Sequence, residues 1–277
     1  MTLEETAGKI AEEVLAAEYL EVFAHHDADG IAAAAILCEA MLRAGRRFRL
    51  RIRSEISPSE IPAGVPALLC DLGSAREDLA EEVMVVDHHM PHFEGRFHLN
   101  PRLEGIDGER ELSAAGAAYL VADRMGDNRD LAGLVLLGIL GDGQEMVGMN
   151  REIVNEGIAN GFITPARGFM VPGRDAVEQL SHAINPYLVG ISGNPEGAAA
   201  LADACRGEEG IELDLLLSRI ILEAGRSGTL QAMRSLYGPV YLLEKETITD
   251  AHTLCALVDG CGKSGRGGLA ASLCLRS

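Results

Sequence analysis

The sequence lacks the C-x-x-C pairs that are typical of zinc fingers and thiol redox sites. Its six cysteines are scattered and lie mostly inside apolar runs, as expected for small core residues in a reducing compartment: Cys38, Cys70, Cys205, Cys255, Cys261 and Cys274. Neither a disulfide framework nor a cysteine-bound zinc ion is therefore expected.

Long hydrophobic runs are also missing. No uninterrupted apolar stretch approaches membrane-spanning length, and the acidic amino terminus has neither the positive region nor the apolar region of a secretory signal. We therefore expect a cytoplasmic protein without a membrane partner.

Positive charge is scarce, since 24 Lys and Arg residues stand against 42 Asp and Glu residues, for a formal net charge of -18. Such a field repels polyanions at long range, which counts against a nucleic-acid substrate. It does not exclude one, because divalent cations in a site and a local basic strip reverse the sign of the charge where contact occurs.

Strands and helices alternate along the first part of this chain of 277 residues, of which 47% are hydrophobic. Strand, helix and strand in quick succession imply parallel pairing with right-handed crossovers. We predict an α/β fold, a parallel sheet of about five strands with helices on both faces. The predicted elements are helices over 3–18, 31–43, 75–82, 114–123 and 131–140, and strands over 20–24, 49–53, 67–70 and 83–86.

Arginines alternate with apolar residues between 49 and 53. A strand here would place Arg49, Arg51 and Arg53 on one face. A solvated edge strand that charge protects from aggregation is the favoured interpretation. A contact strip for a phosphate backbone is the alternative.

Five glycines fall within nine residues between 260 and 268, together with Lys263 and Arg266. This composition indicates a backbone cradle for an anion, although turns and linkers are rich in glycine as well.

Carboxylates and imidazoles follow four separate apolar runs, and their convergence on one sheet edge would bring several buried charges together. Any one of them alone is more often a helix cap, a turn former or a satisfied core histidine. Gathered carboxylates repel one another unless cations lie between them, and mixed carboxylate and imidazole ligands suit Mn²⁺ or Mg²⁺ better than zinc. The residues are His25, Asp27 and Asp29, then Asp71, then Asp87, His88 and His89, then Asp142.

In order and approximate spacing these motifs resemble the four motifs of the DHH phosphoesterase superfamily, in particular its RecJ-like archaeal branch. The resemblance covers residues 20–145 and implies a DHH domain over 1–165. It further implies a helical tail and linker over 166–235 and, over 236–277, the start of a truncated DHH-associated carboxyl-terminal domain, a partial second α/β domain.

The resemblance also implies a ligand set for two ions, Mn²⁺ or Mg²⁺, bridged by Asp71. Asp87 would orient His88 from the second coordination shell. Because neighbours in an extended segment point to opposite sides, His89 would face the substrate phosphate. One ion would be bound by His25, Asp27 and Asp71, the other by Asp29, Asp71, His88 and Asp142, and substrate by His89, Lys263, Arg266, Gly267 and Gly268.

The activity implied is that of a RecJ-like exonuclease that hydrolyses single-stranded DNA or RNA with metal-activated water. Two alternatives remain open. One is a phosphoesterase for small substrates such as short oligonucleotides, cyclic dinucleotides or pAp-type molecules, and the other is a non-catalytic scaffold among replication proteins.

Overall fold

The computed structural model describes residues 2–208, 210–224 and 234–275. The chain forms two compact units. The first comprises Met1–Ile163, Leu243–Thr249 and Cys255–Ser277, and the second Thr164–Leu242 and Asp250–Leu254. The last predicted segment, 236–277, contributes to both units, and the assignment of domains over 1–165, 166–235 and 236–277 stays a prediction.

A five-stranded parallel sheet lies at the centre of the first unit, which confirms the predicted fold class. The strands are ordered β2-β1-β3-β4-β5. Pairing places Ala24 beside Cys70 and Cys70 beside Val86. The strands are β1 (Tyr19–His25), β2 (Arg47–Arg53), β3 (Ala67–Cys70), β4 (Met84–Val86) and β5 (His98–Leu99).

The first five helices of the chain belong to the same unit, and side chains at their first turns explain where three of them begin. Thr2 and Glu5 form a capping box at the start of α1, Asp27 caps α2, and Ser113 caps α3. The apolar run after residue 131 is a buried helix, as its length predicted. The helices are α1 (Leu3–Ala16), α2 (Ala28–Arg43), α3 (Ala114–Met125), α4 (Ala132–Gly141) and α5 (Gly148–Ala159).

The helix predicted over 75–82 is wrong, because residues 71–83 form turns between β3 and β4. The backbone at the start of this segment is not helical, because Asp71 and Gly73 have positive φ angles. The Ser74 amide also donates a hydrogen bond to the Asp87 carboxylate. In a helix, Glu77 and Glu81 would also repel each other one turn apart.

β2 is an edge strand, as the arginine pattern predicted. Two of its four guanidinium groups already contact carboxylates, since Arg51 pairs with Glu21 and Arg53 with Glu60. The alternative interpretation, a phosphate contact strip, stays a prediction.

The second unit contains strands as well as helices and has its own apolar core, which includes Phe169, Leu180, Leu216 and Ile220. Strands β6 and β9 pair with each other, and β7 pairs antiparallel with β8. Its elements are β6 (Ile163–Phe169), α6 (Ala176–His182), α7 (Pro195–Asp203), β7 (Arg206–Gly207), β8 (Gly210–Ile211), α8 (Leu213–Ala224) and β9 (Tyr237–Leu243).

The glycine-rich stretch is mostly helical, and the backbone cradle for an anion stays a prediction. It contains the end of α9 (Ala251–Lys263) and the first turn of α10 (Gly267–Cys274). Close packing explains these glycines better: a Cβ atom on Gly262 would overlap the His26 carbonyl, and one on Gly267 would lie 2.6 Å from Ile52 Cβ. No helix in the described part of the chain is long and apolar enough to cross a membrane.

Helix α4 approaches α2 and α3 at Gly138. A Cβ atom there would overlap a carboxylate oxygen of Asp29 and lie 2.7 Å from Ser113 Oγ. Since both neighbours are fully buried, neither has room to move aside. The absence of a side chain at residue 138 is therefore a packing requirement.

We expect Gly138→Ala to lower the free energy of unfolding by about 1–3 kcal/mol through overpacking, despite the better helix propensity of alanine. Gly8→Ala is the matched control, because a Cβ atom at this position in α1 meets nothing within 4 Å. It should stabilise the protein by about 0.5–1 kcal/mol. Urea unfolding of both variants checks this, and equal effects would contradict it.

Candidate metal centre

The parallel register brings the predicted ligands to one edge of the sheet. Because Ala24, Cys70 and Val86 are neighbours, the residues that follow them, His25, Asp71 and Asp87, end three adjacent strands side by side. The remaining ligands come from helix ends and the loop after β4. All six predicted ligands fall into overlapping groups whose atoms lie within 4.8 Å of one another: His25, Asp27 and Asp71; Asp29, His88 and Asp142; and Asp71, His88 and His89.

The first group is formed around the His25 ring. Its Nδ1 atom lies 2.8 Å from Asp27 Oδ2 and 3.2 Å from Asp71 Oδ2. The Asp27 carboxylate also accepts a hydrogen bond from the Gly30 amide at 3.0 Å, which fixes it at the start of α2. Each of these three residues offers one atom that could hold a metal ion.

The second group is formed around the buried His88 ring. Its Nε2 atom lies 3.2 Å from Asp142 Oδ2, 3.3 Å from Asp71 Oδ1 and 3.6 Å from Asp29 Oδ2. Asp71 therefore contributes one oxygen to each group. Its backbone has a φ of 58°, a left-handed conformation that a non-glycine residue rarely adopts, and such strain clusters at functional sites.

Several inward-facing atoms of the cluster have close neighbours but no hydrogen bond of acceptable geometry. They are both carboxylate oxygens of Asp71, His25 Nδ1 and His88 Nε2, all buried. Buried polar atoms are almost always satisfied in native proteins. This set of oxygen and nitrogen donors fits a bound divalent cation, which would satisfy them together.

Asp29 carries the most deeply buried carboxylate of the cluster, with no solvent exposure. Its two oxygens accept hydrogen bonds from the Ala114 and Ala115 amides at the start of α3, both at 2.7 Å. Burial, and then the charges of Asp71 and Asp142, still hold the pKa of Asp29 well above its usual value. The helix terminus therefore offsets only part of the cost of this charge.

The two imidazoles hold protons in the absence of a cation. Burial lowers the pKa of His25, but the carboxylates of Asp27 and Asp71 outweigh it and raise the pKa to about 10. In the same way Asp142, Asp71 and Asp29 overcome burial and raise the pKa of His88 to about 12. Protons thus offset the clustered negative charge, and a metal ion would have to displace them.

Asp87 does not orient the His88 ring, so that prediction is wrong. The His88 Nδ1–H group donates to the Gly108 carbonyl at 2.6 Å. The Asp87 carboxylate instead accepts from the backbone amides of Ser74, His88 and His89 and from the His89 ring at 2.8 Å. Burial raises its pKa, but the His89 ring and these amides hold it below the usual value.

His88 and His89 do not point to opposite sides either. Their ring centroids lie 4.4 Å apart, because β4 ends at Val86 and Asp87 draws the His89 ring toward itself. The two rings differ in exposure: the His89 side chain is 54% exposed and that of His88 5%. His89 is therefore the solvent-facing member of the cluster.

Three residues outside the predicted motifs fix the loop that carries both histidines. The Asn100 amide donates to the His89 carbonyl at 2.8 Å, and the Arg102 guanidinium donates to the His88 carbonyl at 2.8 Å. Gln144 donates to the Gly108 carbonyl at 2.9 Å. Asn100 could have been suspected from the sequence, because it is a polar residue directly after the short strand β5. The Gly108 carbonyl that accepts the hydrogen bond from His88 has no sequence signature.

The residues predicted to contact substrate are less closely gathered than the ligands. Lys263 Nζ lies 2.7 Å from Asp259, which raises its pKa, and the charges of Asp27 and Asp142 add to this effect. Gly267 packs against Ile52, and Arg266 is the residue before α10. Lys263 is thus linked electrostatically to the metal ligands, as is His89, whose Nδ1 atom lies 3.4 Å from Asp71 Oδ1.

The fold and the cluster define an α/β domain with a candidate two-metal site at the carboxyl edge of its sheet. Residues 20–139 match the family model described as the DHH family, N-terminal domain. Over these residues the chain is similar to the DHH family, as the resemblance of its motifs implied.

Three individual proteins are similar to this chain. An uncharacterized protein of Methanocaldococcus jannaschii is 27% identical over 93% of this chain, and the chain spans 64% of that relative's length. The Cdc45 structure from Entamoeba histolytica has a TM-score of 0.60 at 10% identity, covering 98% of this chain and 67% of that one. Thermus thermophilus RecJ in complex with Mn²⁺ is 22% identical over 84% of this chain and 36% of its own, with a TM-score of only 0.46.

We expect the metal-free protein to lose stability as pH rises above 6.5. The folded-state pKa of His88 is raised, so its contribution is complete below the unfolded pKa of about 6.5 and declines as pH rises toward 12, by at most about 1.4 kcal/mol per pH unit. Urea unfolding with a chelator between pH 6.5 and 9.5 measures this slope.

His88→Gln should flatten this dependence, whereas His182→Gln, at an exposed residue of the second unit, should leave it unchanged. An identical slope in the wild type and in His88→Gln would show that the imidazole does not bear this charge.

Proposed function

We propose that this protein is a divalent-metal-dependent phosphodiesterase of the RecJ-like type, which hydrolyses single-stranded DNA or RNA from an end. The observation that carries the proposal is the shared position of Asp71, with one oxygen 3.2 Å from His25 and the other 3.3 Å from His88. A carboxylate between two ligand groups is the arrangement that two neighbouring cations require.

The two groups divide the ligands between two ions. His25, Asp27 and Asp71 hold one, and Asp71 is shared with the other. When bound, such a pair of divalent cations makes water easier to deprotonate and neutralises charge on the phosphodiester. The second set is Asp29, Asp71, His88 and Asp142, and its carboxylate and imidazole donors favour Mn²⁺, with Mg²⁺ as the substitute.

His89 contacts the phosphate in this proposal. Its ring is exposed beside the cluster, and the Asp87 carboxylate 2.8 Å away raises its pKa. This shift favours the protonated ring, and a protonated imidazole donates a hydrogen bond to a phosphate oxygen. Lys263 supplies a second positive group, which Asp259 holds at 2.7 Å.

A phosphoesterase for small substrates is the second candidate, favoured by the net charge of -18. A field of this sign opposes a long polyanion more than a dinucleotide. The third alternative, a non-catalytic scaffold for replication proteins, is less well supported, because every ligand type that the site needs is present.

We expect Mn²⁺-dependent loss of terminal nucleotides from labelled single strands, and a fall of at least about 100-fold in Asp71→Asn, since a shared ligand is removed. Asp127→Asn, at an exposed carboxylate paired with Arg129, is the control and should keep full activity. Equal activity of wild type and Asp71→Asn, or no hydrolysis of DNA, RNA or small phosphodiesters with Mn²⁺, would refute the proposal.

The salt dependence of KM should separate the two candidate substrates. If the protein binds along a single strand, a plot of log affinity against log salt concentration has a slope of about -0.7 for each phosphate that is neutralised. The affinity for a dinucleotide changes little with salt concentration. We expect a steep dependence for single strands of about 12 nucleotides. A flat response together with faster dinucleotide hydrolysis would favour the small-substrate phosphoesterase.

A further inference from the structure

Asp259 lies outside all four motifs, yet its carboxylate contacts the backbone of the first ligand segment. Asp259 Oδ1 accepts a hydrogen bond from the Ala28 amide at 3.3 Å. Ala28 is fully buried and is the single residue between Asp27 and Asp29. The orientation of this peptide sets the direction of both neighbouring side chains.

This contact also satisfies a donor that α2 itself leaves without a partner. The first amides of a helix have no intrahelical acceptor. At the start of α2 the Gly30 amide donates to Asp27 and the Ala28 amide to Asp259. Asp259 therefore acts as a helix cap for α2, although it belongs to a different helix.

α9 lies close enough to the ligand segment to hold it in place. Gly262 packs directly against the His26 carbonyl, where a Cβ atom would overlap it, whereas a Cβ atom on Gly260 would meet nothing within 4 Å. Cys255 Sγ lies 3.5 Å from the Leu137 carbonyl of α4, the helix that Asp142 follows directly. The helix thus contacts the elements that carry ligands of both proposed ions.

The same carboxylate holds the ammonium group of Lys263, at 2.7 Å from Oδ1 and 2.8 Å from Oδ2. Both side chains are partly exposed, 52% for Lys263 and 29% for Asp259. An ion pair this open to solvent adds little to stability. Its effect is instead to fix the position of the lysine relative to the Ala28 amide.

We propose that Asp259 is a positioning residue of the metal centre, whose one carboxylate joins the ligand segment at Ala28 to the substrate-binding ammonium of Lys263. This inference rests on the proposed function. It assigns α9 a role in the site that sequence motifs do not show, because the contact is made to a backbone amide.

The test compares Asp259→Ala with Asp259→Asn in the full chain, with Mn²⁺ alone as the probe. Asp259→Ala removes the acceptor for Ala28 and should weaken Mn²⁺ binding about 10-fold. Asp259→Asn keeps an oxygen acceptor for the Ala28 amide and should restore most of the affinity that Asp259→Ala loses. Titration calorimetry measures the affinity.

Two further variants separate the parts of the proposal. Lys263→Met should leave Mn²⁺ affinity unchanged and raise KM for the phosphodiester substrate with kcat retained, and Asp259→Asn should raise KM as well. Gly260→Ala is the control on the same helix and should change neither. Hydrogen exchange of the metal-free protein adds a readout without metal: the Ala28 amide should exchange faster in Asp259→Ala than in Asp259→Asn.

The outcomes are distinguishable. Asp259→Ala that binds Mn²⁺ as tightly as the wild type, with unchanged exchange at Ala28, overturns the inference and leaves the proposed function standing. Equal losses in Asp259→Ala and Asp259→Asn overturn it too, because charge rather than the hydrogen bond would then matter. A wild type that binds no Mn²⁺ overturns both the proposed function and the role of Asp259 in it.

Discussion

The constraint on which this structure depends is the crowding of buried carboxylates at one edge of a parallel sheet. Asp29, Asp71 and Asp87 are all nearly inaccessible to solvent, and Asp27 and Asp142 lie beside them. Charges of one sign at these distances are costly in a low-dielectric interior. Without a cation the two imidazoles carry the compensating positive charge, which is why the pKa values of His25 and His88 are raised so far.

The fold meets this constraint with backbone donors. The Asp29 carboxylate accepts hydrogen bonds from two backbone amides of α3. The Asp87 carboxylate accepts three, from Ser74, His88 and His89, and Asp27 caps α2. Asp71 differs, because neither of its oxygens has a hydrogen bond of acceptable geometry, and it sits between both ligand groups. We therefore regard Asp71 as the residue around which the proposed metal pair is organised.

Much of the fold and the ligand set could be predicted from sequence, because a carboxylate after an apolar run marks the end of a buried strand. The contacts that orient those ligands could not be predicted from the sequence. His88 is held by the Gly108 carbonyl, and any residue type offers a carbonyl. The glycines before α10 indicated a loop but serve close helix packing at His26 and Ile52. The turns over 71–83 depend on a strained Asp71 backbone that has no sequence signature.

The central claim is that two divalent cations lie on either side of Asp71. The most direct measurement is the anomalous difference map of a crystal grown with Mn²⁺. We predict two peaks about 3.5–4 Å apart, each within bonding distance of one Asp71 oxygen. A map with no peak at Asp71, or with Mn²⁺ bound only away from His25 and His88, would contradict the account.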